Sequence, residues 1–174
     1  MAGHSDNDMA LPQLAEGTTI LIAIAPYYTK IAEQQLASAR KVIEAAGAAH
    51  ETVEVPGSLE LPAAITLANR LGDYDGFVAL GCVIRGRTSH YDVVVEQSAN
   101  GLMLLGLQGL AIGNGIITVE NMEQAEERAD AGRLDTAGAA AQAAVHLIAL
   151  RERLRRKDRA GVGFATLAKG GETV

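Results

Sequence analysis

Residues Phe77–Ile84 read FVALGCVI, a continuous apolar run with no polar residue in alternation. A strand with one face in water alternates polar and apolar side chains. A run like this one belongs instead to a strand covered on both faces, as in a parallel sheet packed between helices. Thr19–Ala25, TILIAIA, is a second run of the same kind. It is closed by Pro26, whose missing N–H and fixed φ suit a strand's exit and not its middle. Two such runs commit the chain to an α/β fold with helices above and below the sheet.

The rest of the chain fits around them. At 174 residues it suits one domain with a sizeable core. From Tyr28, the residues Ile31, Ala32, Leu36, Ala39, Val42, Ile43 and Ala46 recur at three- and four-residue steps, which predicts a helix with one buried stripe, ended by Gly47. His50–Val55 alternates weakly and reads as a short edge strand. After Pro56-Gly57, Ser58 is positioned to cap a helix to about Leu71, with Leu59, Pro62, Ala63 and Leu67 as its inner face. A helix from Ser89 to Leu107 follows the Phe77–Ile84 strand. Leu110–Val119 is a further strand in which Gly113 and Gly115 flank Asn114, marking either a bulge or a close approach of a partner or ligand to the backbone. Two helices, Glu120–Asp130 and the alanine-rich Thr136–Leu154, complete the pattern. The expected architecture is a three-layer α/β sandwich on a four-stranded parallel sheet with right-handed crossovers. Residues 1–17 read as a disordered arm, 18–158 as the domain, and 159–174 as a flexible tail.

Composition narrows the function classes. The formal net charge is −6, and the basic residues gather late, at Arg151, Arg153, Arg155, Arg156, Lys157 and Arg159. That run reads as a solvated helix end complementing the macrodipole, which argues against a nucleic-acid surface. A single cysteine, Cys82, excludes an internal disulfide, and the N-terminal residues lack the features of a signal peptide. No apolar run approaches the ~20 residues of a membrane helix. The expectation is a cytoplasmic protein with no nucleic-acid or membrane partner.

Chemistry is concentrated after the Phe77–Ile84 strand. Gly86 breaks the run, and Thr88 or Ser89 can cap the next helix, leaving its first N–H groups free for an anion. His90 stands beside that position. Ligands of open α/β sheets bind beyond the carboxyl ends of the strands, so His90 is the leading candidate for proton transfer. From spacing alone an ordinary strand–loop–helix junction with a solvated histidine is an equal alternative. Tyr27 lies at the equivalent end of the first strand. Glu60 has a plain reading as a residue complementing a helix N-terminus. Cys82 lies inside the apolar strand, where an inert buried thiol is more expected than a nucleophile.

Three motifs in one order, VPGSLELP at 55–62, GCVIRGRTSHYDVV at 81–94 and GIITVENMEQAEERA at 115–129, resemble those of 6,7-dimethyl-8-ribityllumazine synthases of riboflavin biosynthesis, over about Thr18–Leu154. The resemblance implies a flavodoxin-like fold. It also implies condensation of 5-amino-6-(D-ribitylamino)uracil with 3,4-dihydroxy-2-butanone 4-phosphate, with no metal or organic cofactor. On that resemblance His90 is the catalytic residue, and the Arg87 backbone and Thr88 cradle the phosphate, which Arg128 reaches from a neighbouring subunit. Cys82, Val83 and Ile84 line the pyrimidine edge, while Ser58, Leu59 and Glu60 hold the ribityl chain. Tyr27 replaces a family aromatic that stacks on the pyrimidine.

The chain departs from the family at Asn114, where an aromatic often closes over the ligand from the next subunit. It departs again at Asp135-Thr136-Ala137, where a lysine is common. The loop between the last two helices looks longer than in shell-forming members, which implies a homopentamer with active sites between adjacent subunits. The two departures leave a competing reading, a catalytically weak paralogue that binds lumazine or flavin. A generic flavodoxin-like module is disfavoured, because APYYTK after the first strand is not a phosphate loop.

Overall fold

A computed structural model describes residues 9–161. The strands are β1 (Thr19–Ile24), β2 (Ala49–Glu54), β3 (Gly76–Ile84) and β4 (Ile112–Val119). The helices are α1 (Thr29–Ala45), α2 (Leu61–Leu71), α3 (His90–Leu107), α4 (Met122–Ala129) and α5 (Thr136–Gly161), with one 3₁₀ turn at Ser58–Glu60. The strands form one parallel sheet in the order β2-β1-β3-β4, with Ile22 opposite Val78 and Ala79 opposite Asn114. This is the expected three-layer, flavodoxin-like α/β arrangement. β2 is an edge, as its weak alternation suggested.

Successive side chains of a strand point to opposite faces, and β1 and β3 fill both faces with apolar groups. Ile20, Ile22, Ile24, Val78 and Leu80 pack with Ala39 and Ile43 of α1 and Ala141, Ala144 and Ile148 of α5. Leu21, Ala23, Phe77 and Ala79 pack with Leu61 and Ile65 of α2 and Leu102 and Leu105 of α3. A third cluster, Ile31, Cys82, Ile117, Val119, Ala125 and Ala129, closes the carboxyl end of the sheet under α4.

Gly113 and Gly115 mark neither a bulge nor a ligand approach. The β3–β4 ladder runs in unbroken register from Ile112 to Val119. What approaches is helix α5: a Cβ on Gly113 would fall on the Ala140 carbonyl, and one on Gly115 would meet Leu80 and the Ala140 methyl. The alanines of α5 and the glycines of β4 together let helix and strand backbones nearly touch.

Four other expectations change. The inner face of α2 is Leu61 and Ile65, both fully buried, whereas Leu59, Ala63 and Leu67 are exposed and Pro62 is half-buried. The predicted stripe was set by starting the helix at Ser58; a 3₁₀ turn comes first and rotates the helix that follows. Ser58 itself is buried within that turn, and the turn begins after Gly57 without a side-chain cap. Part of the expected arm is docked: Leu11 and Leu14 pack against the α1/α5 core, Leu14 N–H donates to Ala46 O at 2.9 Å, and the Gln13 amide donates to Ala45 O at 3.0 Å. These donors satisfy carbonyls at the end of α1, where Gly47 turns the chain at φ 79°. Residues 1–8 of the expected arm lie outside the described residues.

At the other terminus α5 continues to Gly161, beyond the expected Leu154, so 159–161 are helical and the remainder of the expected tail, 162–174, lies outside the described residues. The basic run therefore sits along α5, and Arg151 donates to Asp75 O at 2.7 Å.

The stripe of α1 also contains a residue the apolar pattern passed over. Gln35 is fully buried, and its Nε2 donates to Gly81 O at 3.1 Å and Gly115 O at 2.9 Å.

Gly113→Ala is expected to destabilise the fold by about 1–3 kcal/mol, the usual cost of overpacking a close-packed site. A lowered urea midpoint at fixed protein concentration checks this; an unchanged midpoint would mean that α5 can yield.

Candidate active site

Three loops meet beyond the carboxyl ends of the central strands: Ala25–Tyr28 after β1, Val55–Glu60 after β2, and Arg85–Ser89 after β3. From β1 the chain moves outward to β2 and then crosses back to β3 on the other side. The β1/β3 boundary is therefore the switch point at which an open α/β sheet leaves a crevice. A cleft of about 520 Å³ opens there.

Of the residues singled out from sequence, Tyr27, Ser58, Leu59, Glu60, Cys82, Val83, Ile84, Thr88 and His90 all line this cleft. They come from segments separated by dozens of residues and are gathered by the sheet order. The floor is the end of β3, where the buried run gives way to half-buried Val83 and Ile84. Gly81 makes room for the wall: a Cβ there would lie 2.8 Å from Ser58 Oγ, so the 3₁₀ turn packs directly on β3. Tyr27 is 75% exposed and meets Tyr28 edge to face at 5.0 Å, which leaves a flat aromatic face at the rim.

His90 opens α3 and is exposed. Neither Thr88 nor Ser89 caps that helix in the expected way. Ser89 occupies the cap position without a side-chain hydrogen bond, and the Thr88 hydroxyl meets only the His90 N–H, at 3.4 Å. Asp92 N–H turns back to Ser89 O at 3.1 Å, so the groups left for an anion beside Thr88 are the weakly held N–H of His90 and the N–H of Tyr91.

Arg87, Asn114 and Arg128 do not line the cleft within one chain. Arg87 is exposed next to Thr88. Asn114 sits on β4 and accepts a bond from its own strand, Ile116 N–H to Oδ1 at 3.1 Å. Arg128 is in the last turn of α4. Among the described residues neither Arg87 nor Arg128 pairs with a carboxylate. Sequence reasoning missed Tyr28, Tyr91 and Val94, which also line the cleft. The first two adjoin Tyr27 and His90, and Val94 lies one helical turn after His90, so adjacency and helical spacing were the available signals.

Cys82 is buried, and desolvation pushes its thiol from 9.0 up to about 11. Burial also raises the Tyr28 phenol, with smaller contributions from Cys82 and Tyr27. Among the described residues no three His, Cys, Asp or Glu side chains stand together to hold a metal, and no helix is long and apolar enough to cross a membrane.

The chain matches the family model described as 6,7-dimethyl-8-ribityllumazine synthase over residues 17–152. Curated proteins of that name are similar across most of their length. One from Jannaschia sp. (strain CCS1) is 67% identical over 150 residues, covering 86% of this chain and 84% of the relative. One from Sphingopyxis alaskensis is 53% identical, covering 76% and 94%. One from Methylorubrum extorquens (strain PA1) is 47% identical, covering 84% and 88%.

The Cys82 thiol should resist a maleimide at pH 8 in the folded protein and react quickly once unfolded. A folded-state pKa above the unfolded value favours the fold below about pH 9, and this contribution is lost as pH rises through about 11. Equal labelling rates in native and unfolded protein would show the thiol to be accessible and ionisable.

Proposed function

The chain belongs to the 6,7-dimethyl-8-ribityllumazine synthase family, and from that premise we propose how its cleft is used. The enzyme condenses 5-amino-6-(D-ribitylamino)uracil with 3,4-dihydroxy-2-butanone 4-phosphate to form 6,7-dimethyl-8-ribityllumazine, releasing phosphate and water. The observation that supports the site assignment best is that His90 and Thr88 share one cleft with the backbone end of β3 and the Ser58–Glu60 turn.

In this reading the pyrimidine lies along Cys82–Ile84, bonded largely through backbone groups, with Tyr27 stacked on its face. Ser58, Leu59 and Glu60 hold the ribityl chain. The phosphate rests on Thr88, the Arg87 backbone and the opening N–H groups of α3 at His90 and Tyr91. Attack of the uracil 5-amino group on the butanone carbonyl expels water and leaves an imine. Elimination of phosphate follows, and the ribitylamino nitrogen then closes the ring on the remaining carbonyl with loss of a second water. Each step moves a proton, and His90 is the side chain at the anion site able to accept and return it. Proton transfer of this kind contributes typically ~10²–10⁴-fold, whereas holding two reactants in attack geometry supplies roughly 7–11 kcal/mol. Positioning is therefore the larger share.

Arg128 and Asn114 lie outside their own chain's cleft, which supports a site completed by the adjacent subunit. Arg128 then acts as a charge-assisted donor to the phosphate. An oligomer is also supported by two helices that pack on each other, α3 leaving Met103, Leu104 and Leu107 exposed and α2 leaving Leu67 and Leu71 exposed, apolar area suited to a second copy. A homopentamer is the assembly proposed. We place the enzyme in the cytoplasm, consistent with a single thiol and no disulfide.

Mixing the purified protein with both substrates and following lumazine absorbance against a protein-free control tests the reading. Saturable formation above the control is expected; tight lumazine or flavin binding without turnover would favour a binding paralogue. His90→Ala should slow turnover by about 10²–10⁴-fold without abolishing it. Arg128→Ala should chiefly raise KM for the phosphate substrate. If the site is shared, mixed oligomers of the two variants should recover activity that neither has alone. Failure of that complementation would put both residues on one chain's site. Sedimentation velocity reads the assembly directly.

A further inference from the structure

One side chain next to the cleft holds a geometry that the assigned roles leave unused. Arg85 directly follows β3, and its N–H donates to Val119 O at 2.9 Å. Its side chain then turns across the loop that follows. Nε donates to the Glu120 carboxylate at 3.0–3.1 Å, Nη1 donates to Asp92 Oδ1 at 3.0 Å, and the guanidinium lies over the Tyr91 ring, 4.0 Å from its centroid. Two edges of the planar fork and one of its faces are thus occupied. Glu120 and then Asp92 raise the Arg85 pKa, so the group keeps its charge while it holds both carboxylates.

The partners are placed to matter. Glu120 follows β4 directly, before a well-capped helix: Asn121 Oδ1 accepts from Gln124 N–H at 3.0 Å, and Gln124 Oε1 accepts from Glu120 N–H at 3.0 Å. Tyr91 and Asp92 follow His90 directly. Between these anchors the segment 86–89 makes little structure of its own, since α3 has no side-chain cap and the Thr88–His90 contact is long.

We propose that Arg85 is a positioning residue, a clamp that fixes the Thr88–His90 loop and the first turn of α3 to the rigid β4–α4 junction. The inference rests on the site reading given above. Lone exposed ion pairs are weak, but one guanidinium bonded to two carboxylates and stacked on a ring loses more than any single pair when removed. Its removal frees the catalytic loop without touching either substrate. Displacement of a reacting group by about 1 Å costs up to about 100-fold.

The test compares Arg85→Ala, Arg85→Lys and His90→Ala under the same steady-state assay, with melting temperatures measured alongside. Arg85→Ala is expected to lower kcat by about 10- to 100-fold and to raise KM for the butanone phosphate, leaving KM for the aminouracil nearly unchanged because the pyrimidine rests on β3. Arg85→Lys keeps the charge but cannot make the fork, so it should recover only part of the loss; full recovery would overturn the clamp in favour of charge alone. Unchanged kinetic constants in Arg85→Ala, with or without a lower melting temperature, would also overturn it. His90→Ala separates the two ideas: if it is impaired while Arg85→Ala is not, the clamp fails and the site stands, and if neither is impaired the site reading fails as well. Should Arg85→Ala not fold, Asp92→Ala and Glu120→Ala remove one arm each. Each should shift the same two constants by less, and their unchanged kinetics would overturn the proposal.

Discussion

The two central strands have no face in water. β1 and β3 present isoleucine, leucine, valine and phenylalanine above and below, and their backbones are laddered along most of their length, β3 meeting β1 only as far as Leu80. Burial on both faces excludes a ligand from the body of the sheet and leaves only the strand ends, where the ladders stop and backbone groups are free. The order β2-β1-β3-β4 then decides which end opens, because the chain departs from β1 in one direction and returns on the other side. Everything assigned to the cleft, from Tyr27 to His90, occupies that opening.

Much of this was legible before any coordinates. Apolar runs without alternation identified the parallel strands, and glycine and proline marked where each ended. The junction after Ile84 announced itself by its residue types, and the family resemblance turned an even choice at His90 into an assignment. What misled were places where local rules met tertiary contact. Gly113 and Gly115 looked like room for a ligand and are room for α5. Leu59 and Leu67 looked like a buried stripe because a 3₁₀ turn before α2 shifts the phase of everything after it, and no residue in SLELP signals that turn. Leu11 and Leu14 lie in a polar, aperiodic stretch, and only the exposed end of α1 gives them somewhere to dock.

The contacts around Arg85 illustrate a different limit. Asp92 and Glu120 are ordinary surface carboxylates in sequence, one in the first turn of a helix and the other at the end of a strand. They converge because β3 and β4 are neighbours in register, with Ile84 opposite Val119. Spacing within one element could not have paired them. Among the described residues Arg128 pairs with no carboxylate while Arg85 pairs with two, and the difference lies in which carboxylates the fold brings near, not in the guanidinium.

Gln35 carries a consequence of its own. Its amide spans two strands at once, reaching Gly81 on β3 and Gly115 on β4 from a helix above them. A slip of β4 by one residue would turn its carbonyls away and leave a buried donor empty, at a cost of about 1–3 kcal/mol, so this side chain counts the residues between the strands as well as filling the space over them. Asparagine is too short to span the pair and glutamate has no proton to offer at neutral pH. Shortening or charging this side chain therefore loses the pair of bonds, and the register they hold places Cys82–Ile84 level with the other loops at the mouth of the cleft.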